Sequence, residues 1–177
     1  MSNILLGISG GIAAYKSCDL ISMLRYDGHD IRVIMTDNSK QFITPLTLAT
    51  LSRHPVIDNM WVERNGTVDH VEVGKWADMF VVYPATANII GKFANGIADD
   101  LLSTIYLALS NAVKKKIVFP AMNTNMYLHP RVIENIRILK QDGVIVSETR
   151  DAELACGDTG FGAVLKPKDA MEIIRKS

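Results

Sequence analysis

Short apolar runs alternate along this chain with segments of helical spacing, and no other feature constrains its fold as strongly. Residues 4–9, 31–35, 79–83, 117–119 and 144–146 are too short for helices and too continuously apolar for strands with a wet face. Strands of this kind are buried on both faces, as in a parallel sheet. Between the first two, Ala14, Cys18, Ile21 and Leu24 recur at helical spacing, and Gly28 closes that helix. Pro45 opens a second helix reaching about Ser52. Further helices are expected at 87–94, 99–109, 131–141 and 168–175, with irregular chain at 54–68 and a loop at 148–162. Strand–helix alternation implies a doubly wound, open parallel α/β sheet, Rossmann-like or flavodoxin-like, with helices on both faces in three layers. The 177 residues suit one such domain, spanning 1–177.

Composition narrows the function class. Lysines plus arginines equal aspartates plus glutamates, so no basic field favours nucleic acid or an anionic membrane. No apolar run is long enough to span a bilayer. Met1-Ser2-Asn3-Ile4 has neither the basic region nor the cleavage pattern of a signal peptide. Two cysteines and four scattered histidines make neither a disulfide framework nor a zinc site. A reduced, cytoplasmic protein without metal is the expectation.

Ligands of open α/β sheets sit beyond the carboxyl ends of the strands. At the first such end stands Gly7-Ile8-Ser9-Gly10-Gly11-Ile12-Ala13, whose small residues let backbone N–H groups close on a phosphate. It does not match GxGxxG, and the second strand ends at Thr36 instead of an acid. A hydroxyl there suits a phosphate or ribityl chain, which favours a mononucleotide over a dinucleotide. After the third strand, Thr86 is placed to cap a helix. After the fourth, Pro120 is expected to stop the strand, because proline donates nothing to a ladder. Spacing alone reads the residues that follow as a loop in which Asn123 caps a helix and Met122 and Met126 fill core.

Four stretches resemble motifs of the flavin-dependent cysteine decarboxylases. Residues 120–127, Pro-Ala-Met-Asn-Thr-Asn-Met-Tyr, are similar to PxMNxxMW, with Tyr127 in place of Trp. Residues 84–102 resemble PASANTxxKxAxGIxDNLL, with Thr86 for Ser and Asp100 for Asn. Residues 69–78, Asp-His-Val-Glu-Val-Gly-Lys-Trp-Ala-Asp, resemble DHIELAKWAD. Residues 154–163, Leu-Ala-Cys-Gly-Asp-Thr-Gly-Phe-Gly-Ala, resemble LACGDxGxGRM; Glu153 and Val164 depart from its flanks.

The resemblance implies bound FMN. Gly10, Gly11, Ile12, Thr36, Ser39, Thr86, Ala87, Asn88, Ile89 and Ala121 would contact the cofactor. It further implies His70 as base, Asn123 and Met126 as substrate contacts with Asn123 holding a carboxylate, and Cys156 as proton donor. Within the family the cysteine motif points to phosphopantothenoylcysteine decarboxylases. The implied reaction takes 4′-phospho-N-pantothenoylcysteine to 4′-phosphopantetheine by thiol oxidation, CO₂ loss and enethiol reduction. With the sequence ending at Ser177, a monofunctional form without a fused ligase is expected. The family also implies a homotrimer or dodecamer with FMN near a subunit interface. A peptidyl-cysteine decarboxylase, a flavin prenyltransferase and a silent regulatory subunit remain as alternatives.

Overall fold

In the computed structural model, the described residues are 1–59, 69–109, 113, 115–153 and 159–177. The main sheet contains β1 (Asn3–Ile8), β2 (Asp30–Met35), β3 (Met79–Ala85), β4 (Lys115–Pro120) and β5 (Ile145–Val146), all parallel, in the order β2-β1-β3-β4-β5. This is the flavodoxin-like winding expected from the sequence. The chain steps from β1 to β2 on one side, then returns to lay β3 on the other. The order reverses between β1 and β3, which is where such sheets bind ligands.

Eight α-helices accompany the strands among the described residues: α1 (Ser17–Tyr26), α2 (Pro45–Ser52), α3 (Asp69–Trp76), α4 (Ala87–Asn95), α5 (Leu101–Ala108), α6 (Thr124–Tyr127), α7 (Pro130–Gln141) and α8 (Pro167–Lys176). Strand side chains alternate between two buried layers. Ile4, Leu6 and Ile8 pack with Leu20 and Leu24 of α1, Leu48 of α2 and Ile174 of α8. Leu5, Phe80 and Val82 pack with Phe93 of α4, Leu102 of α5 and Leu139 of α7. A Cβ at Gly7 would stand 2.5 Å from Leu102 Cδ1, so this second layer would have to shift to admit one. Phe93 stacks on Tyr106 with ring centroids 4.0 Å apart; truncating such a core aromatic to alanine costs about 3–5 kcal/mol.

Several boundaries differ from the sequence expectation, each for a local reason. The helix expected from residue 99 starts at Leu101 because Asp100 is its N-cap. The Asp100 carboxylate accepts from the Ser103 N–H at 2.8 Å, and the Ser103 hydroxyl accepts from the Asp100 N–H. Pro120 ends β4 from within the strand and not from beyond it. It is the strand's last residue, paired with Ala85, and the Ala121 N–H restores the ladder by donating to the Ala85 carbonyl at 2.8 Å. Irregular chain was expected at 54–68; in its described part Ile57 adds a parallel bridge to Ile34, and residues 60–68 lie outside the described residues. The helix α3 was not foreseen. The expected loop at 148–162 contains an antiparallel pair, β6 (Arg150–Glu153) and β7 (Thr159–Ala163), outside the main sheet. Gly160 and Gly162 concealed β7, because glycine is depleted in strands.

Candidate active site

A cleft of about 880 Å³ opens over the carboxyl ends of β1 to β4. Ser9, Gly10, Gly11 and Ile12 line it from the β1 turn, and Thr36 and Asn38 from the β2 turn. Thr86, Ala87, Asn88, Ile89 and Lys92 contribute from the start of α4, with Asp100 beside them. Ala121, Met122, Asn123 and Met126 come from the β4 loop, and Gly162, Ala163 and Val164 from the end of β7. Twelve of the fourteen residues proposed from sequence can be placed in or near this cleft, and eleven of them line it. They are Gly10, Gly11, Ile12, Thr36, Thr86, Ala87, Asn88, Ile89, Ala121, Asn123 and Met126.

The remaining proposed residue in the described set, Ser39, sits behind the wall. It is fully buried, and its hydroxyl donates to the Thr36 carbonyl at 2.6 Å, so it shapes the turn. His70 belongs by backbone to α3, and its side chain lies outside the described residues. Cys156 also lies outside them.

The strand ends are tied by Ser9. Its hydroxyl donates to the Pro84 carbonyl at 2.8 Å and accepts from the Thr86 N–H at 2.9 Å. Thr86 then caps α4, its Oγ1 accepting from the Ile89 N–H at 3.4 Å. Such a cap satisfies one N–H of the first turn and leaves its neighbours for another acceptor. Gly10 lies so close to Asn38 that a Cβ would collide with the Asn38 side chain and backbone. The Thr36 Oγ1 is buried without a partner among the described residues. An unpaired buried hydroxyl costs about 1–3 kcal/mol, and a polyol or phosphate oxygen would relieve it. Backbone N–H groups, an orphan hydroxyl and a wall with no Cβ fit the ribityl phosphate of a flavin.

Asn123 is the N-cap of α6. Its Oδ1 accepts from the Met126 N–H at 3.1 Å. That bond fixes the amide orientation and leaves Nδ2, unengaged among the described residues, for whatever the cleft holds. The capping role read from spacing is thus served by Oδ1 alone, and the ligand role implied by the motif would fall to the opposite end of the side chain.

Sequence reasoning did not single out Lys16, Lys92, Asp100 or the Gly162–Val164 edge as site residues. Lys92 Nζ contacts the Asp99 and Asp100 carboxylates at 2.6 Å each. Burial would raise the Asp100 carboxyl, but hydrogen bonds from Lys92 and the Ser103 N–H hold it below the usual carboxylate range. Burial likewise opposes the Lys92 charge, and the two carboxylates overcome it and raise that ammonium. The spacing of Lys92 four residues after Asn88 was the available signal for its place on the cleft face of α4.

Among the described residues no cluster of metal-binding side chains occurs, and no helix is long and apolar enough to cross a membrane.

The flavoprotein family model matches residues 1–177. The coenzyme A biosynthesis bifunctional protein CoaBC of Bacillus subtilis is 46% identical over 175 residues, covering 98% of this chain and 42% of that protein. The chain thus spans less than half the length of the bifunctional relatives it matches. A probable phosphopantothenoylcysteine decarboxylase of Streptococcus mutans is 44% identical over 162 residues, covering 91% of this chain and 90% of that one. Among solved structures, a mutant phosphopantothenoylcysteine (PPC) decarboxylase complexed with pantothenoylaminoethenethiol superposes with a TM-score of 0.86 at 30% identity, covering 99% and 97% of the two chains. The FMN-dependent cysteine decarboxylase SpaF superposes with a TM-score of 0.84 at 27% identity, covering 98% and 94%. Sequence match, strand order and a cleft at the β1/β3 reversal agree: the chain belongs to the flavoprotein family and groups there with the phosphopantothenoylcysteine decarboxylases.

Proposed function

We propose that this chain is an FMN-dependent decarboxylase acting on 4′-phospho-N-pantothenoylcysteine to give 4′-phosphopantetheine in coenzyme A biosynthesis. The observation that carries the reading is Asn123, whose Oδ1 is held by α6 while Nδ2 remains for the cleft. A neutral donor suits a carboxylate that must leave as CO₂, because it orients the anion without the strong ground-state stabilisation of a full positive charge.

A cysteine-derived carboxylate has no electron sink beside it, and bound FMN supplies one by accepting a hydride from the substrate and returning it. Thr36, Gly10 and the first turn of α4 would hold the cofactor's ribityl phosphate. Asn123 would fix the substrate carboxylate, with Met126 as an apolar wall. His70 would take the thiol proton, and Cys156 would deliver a proton to the enethiol. Ile12, Met126 and Phe161 stay about half exposed. Apolar side chains left open beside a cleft favour a homo-oligomer, a trimer or dodecamer, with the cofactor near a subunit interface. Cytoplasmic location follows from the coenzyme A role.

The test is CO₂ release from phosphopantothenoylcysteine, beside a peptide ending in cysteine, by purified protein carrying FMN. Turnover of the first compound is expected. Turnover of the peptide alone would reassign the substrate, and a protein that takes up no FMN would overturn the reading.

A further inference from the structure

Two lysines line the cleft, and their electrostatic situations differ. Lys92 is bound to two carboxylates at 2.6 Å and has no charge to spare. Lys16 lines the same cleft and pairs with no carboxylate among the described residues. Its ammonium lies 5.8 Å from the ring centre of Tyr15, another lining residue.

A second cation approaches from the hairpin. Arg150 opens β6 opposite Ala163, and its Nε donates to the Val164 carbonyl at 3.1 Å. Ala163 and Val164 both line the cleft. Arg150 is thus tied to a residue that shares the cleft lining with Lys16, and no carboxylate among the described residues pairs with it. The charge of Arg150 is felt at Lys16, where it adds to burial in lowering the ammonium. Asp19 and Asp169 act on the neighbouring Tyr83, and neither forms an ion pair with Lys16 or Arg150. Two cations brought together without an acid repel each other, and a doubly charged anion offsets that repulsion.

We propose that Lys16, backed by Arg150, is a subsite for a phosphate monoester. Resting on the reading above, its occupant is the 4′-phosphate of the substrate, far along the molecule from the carboxylate held by Asn123. The phosphate of the cofactor is the other source of the same chemistry. It is already served by Thr36 and the Gly10 turn, where an orphan hydroxyl waits.

The experiment compares ligands that differ only in that group. Calorimetry on the FMN-loaded protein would measure 4′-phosphopantothenate against pantothenate. Wild type should prefer the phosphorylated ligand, and Lys16→Gln should reduce that preference by about tenfold, as for one charge-assisted bond. Lys16→Arg should restore most of it, which a folding defect would not. A preference that survives Lys16→Gln overturns the proposal. So does a variant that loses affinity for FMN but not for riboflavin while the preference stands, since the cation would then serve the cofactor's phosphate. CO₂ release separates the two readings. A wild type that decarboxylates phosphorylated and unphosphorylated substrates with equal KM overturns the subsite alone. No CO₂ from either overturns the proposed function and the subsite with it.

Discussion

The Met122 N–H donates to the Gly162 carbonyl at 3.0 Å, joining the loop after β4 to the end of β7. Thr124 adds a second tie, its hydroxyl donating to the Phe161 carbonyl at 2.7 Å. The segment carrying Asn123 is therefore braced by the hairpin whose strands lie on either side of Cys156 in sequence. Gly162 permits this contact. It has φ +122°, and a Cβ there would collide with the Met122 carbonyl.

Gly162→Ala tests that brace. The strained backbone should cost about 1–3 kcal/mol of stability, and the collision should push the Asn123 loop away from β7. Thermal unfolding and CO₂ release would be measured together. Retained FMN with a large loss of activity is expected; a variant matching wild type in both would show that the brace is dispensable.

Asn123→Asp separates the two ends of that side chain. Aspartate caps a helix as well as asparagine does, so α6 and overall stability should be kept. The donor is lost, and an anion faces the substrate carboxylate. Affinity for phosphopantothenoylcysteine should fall by at least about tenfold, read by calorimetry on the FMN-loaded protein. Normal substrate binding would leave Asn123 as a cap only.

The parts legible in the sequence were those set by local chemistry. Unbroken apolar strands announced a parallel sheet, Pro45 and Thr86 announced helix starts, and Gly10 announced a close approach. What was hidden depends on distant segments. Lys16 reads as an ordinary helix lysine until Arg150 is folded back beside the same wall. The resemblance implies Ser39 as a cofactor contact, and only the fold shows its hydroxyl engaged by its own turn. The strand β7 was obscured by glycines that exist for contacts with Met122 and Thr124, not for local propensity.

The Lys92–Asp100 pair predicts a pH-dependent stability. Asp100 is held low in the folded state, so its contribution is full above the unfolded carboxylate value of about 3.9 and fades as pH falls through the folded one. Lys92 is raised, so its contribution holds below about 10.4 and fades as pH rises through its folded value. Asp100→Asn keeps the cap and removes the charge. Urea unfolding should show the variant weaker than wild type at neutral pH, with the gap closing in acid. A constant gap across that range would mean the ion pair adds nothing.

His70→Asn should keep fold and flavin while decarboxylation drops by roughly 10²–10⁴-fold, the usual contribution of a positioned acid–base group. Flavin absorbance and CO₂ release from the same preparation check this. Activity within a few-fold of wild type would remove His70 from the chemistry.

Cys156→Ser divides the reaction. In the proposed reaction, thiol oxidation and CO₂ loss would call on the flavin, His70 and Asn123, and neither step would need an acid at Cys156. Reduction of the enethiol needs a hydride and a proton together. A thiol with an unperturbed pKa of about 8.5 is a far better acid than a serine hydroxyl. The variant should therefore release CO₂ about once per flavin and then stop, with the enethiol as product. Without oxygen, the flavin absorbance should bleach on adding substrate and not recover. Repeated turnover to 4′-phosphopantetheine would show that another group delivers the proton. No CO₂ at all would move Cys156 to an earlier role, in holding the substrate before its carboxylate leaves.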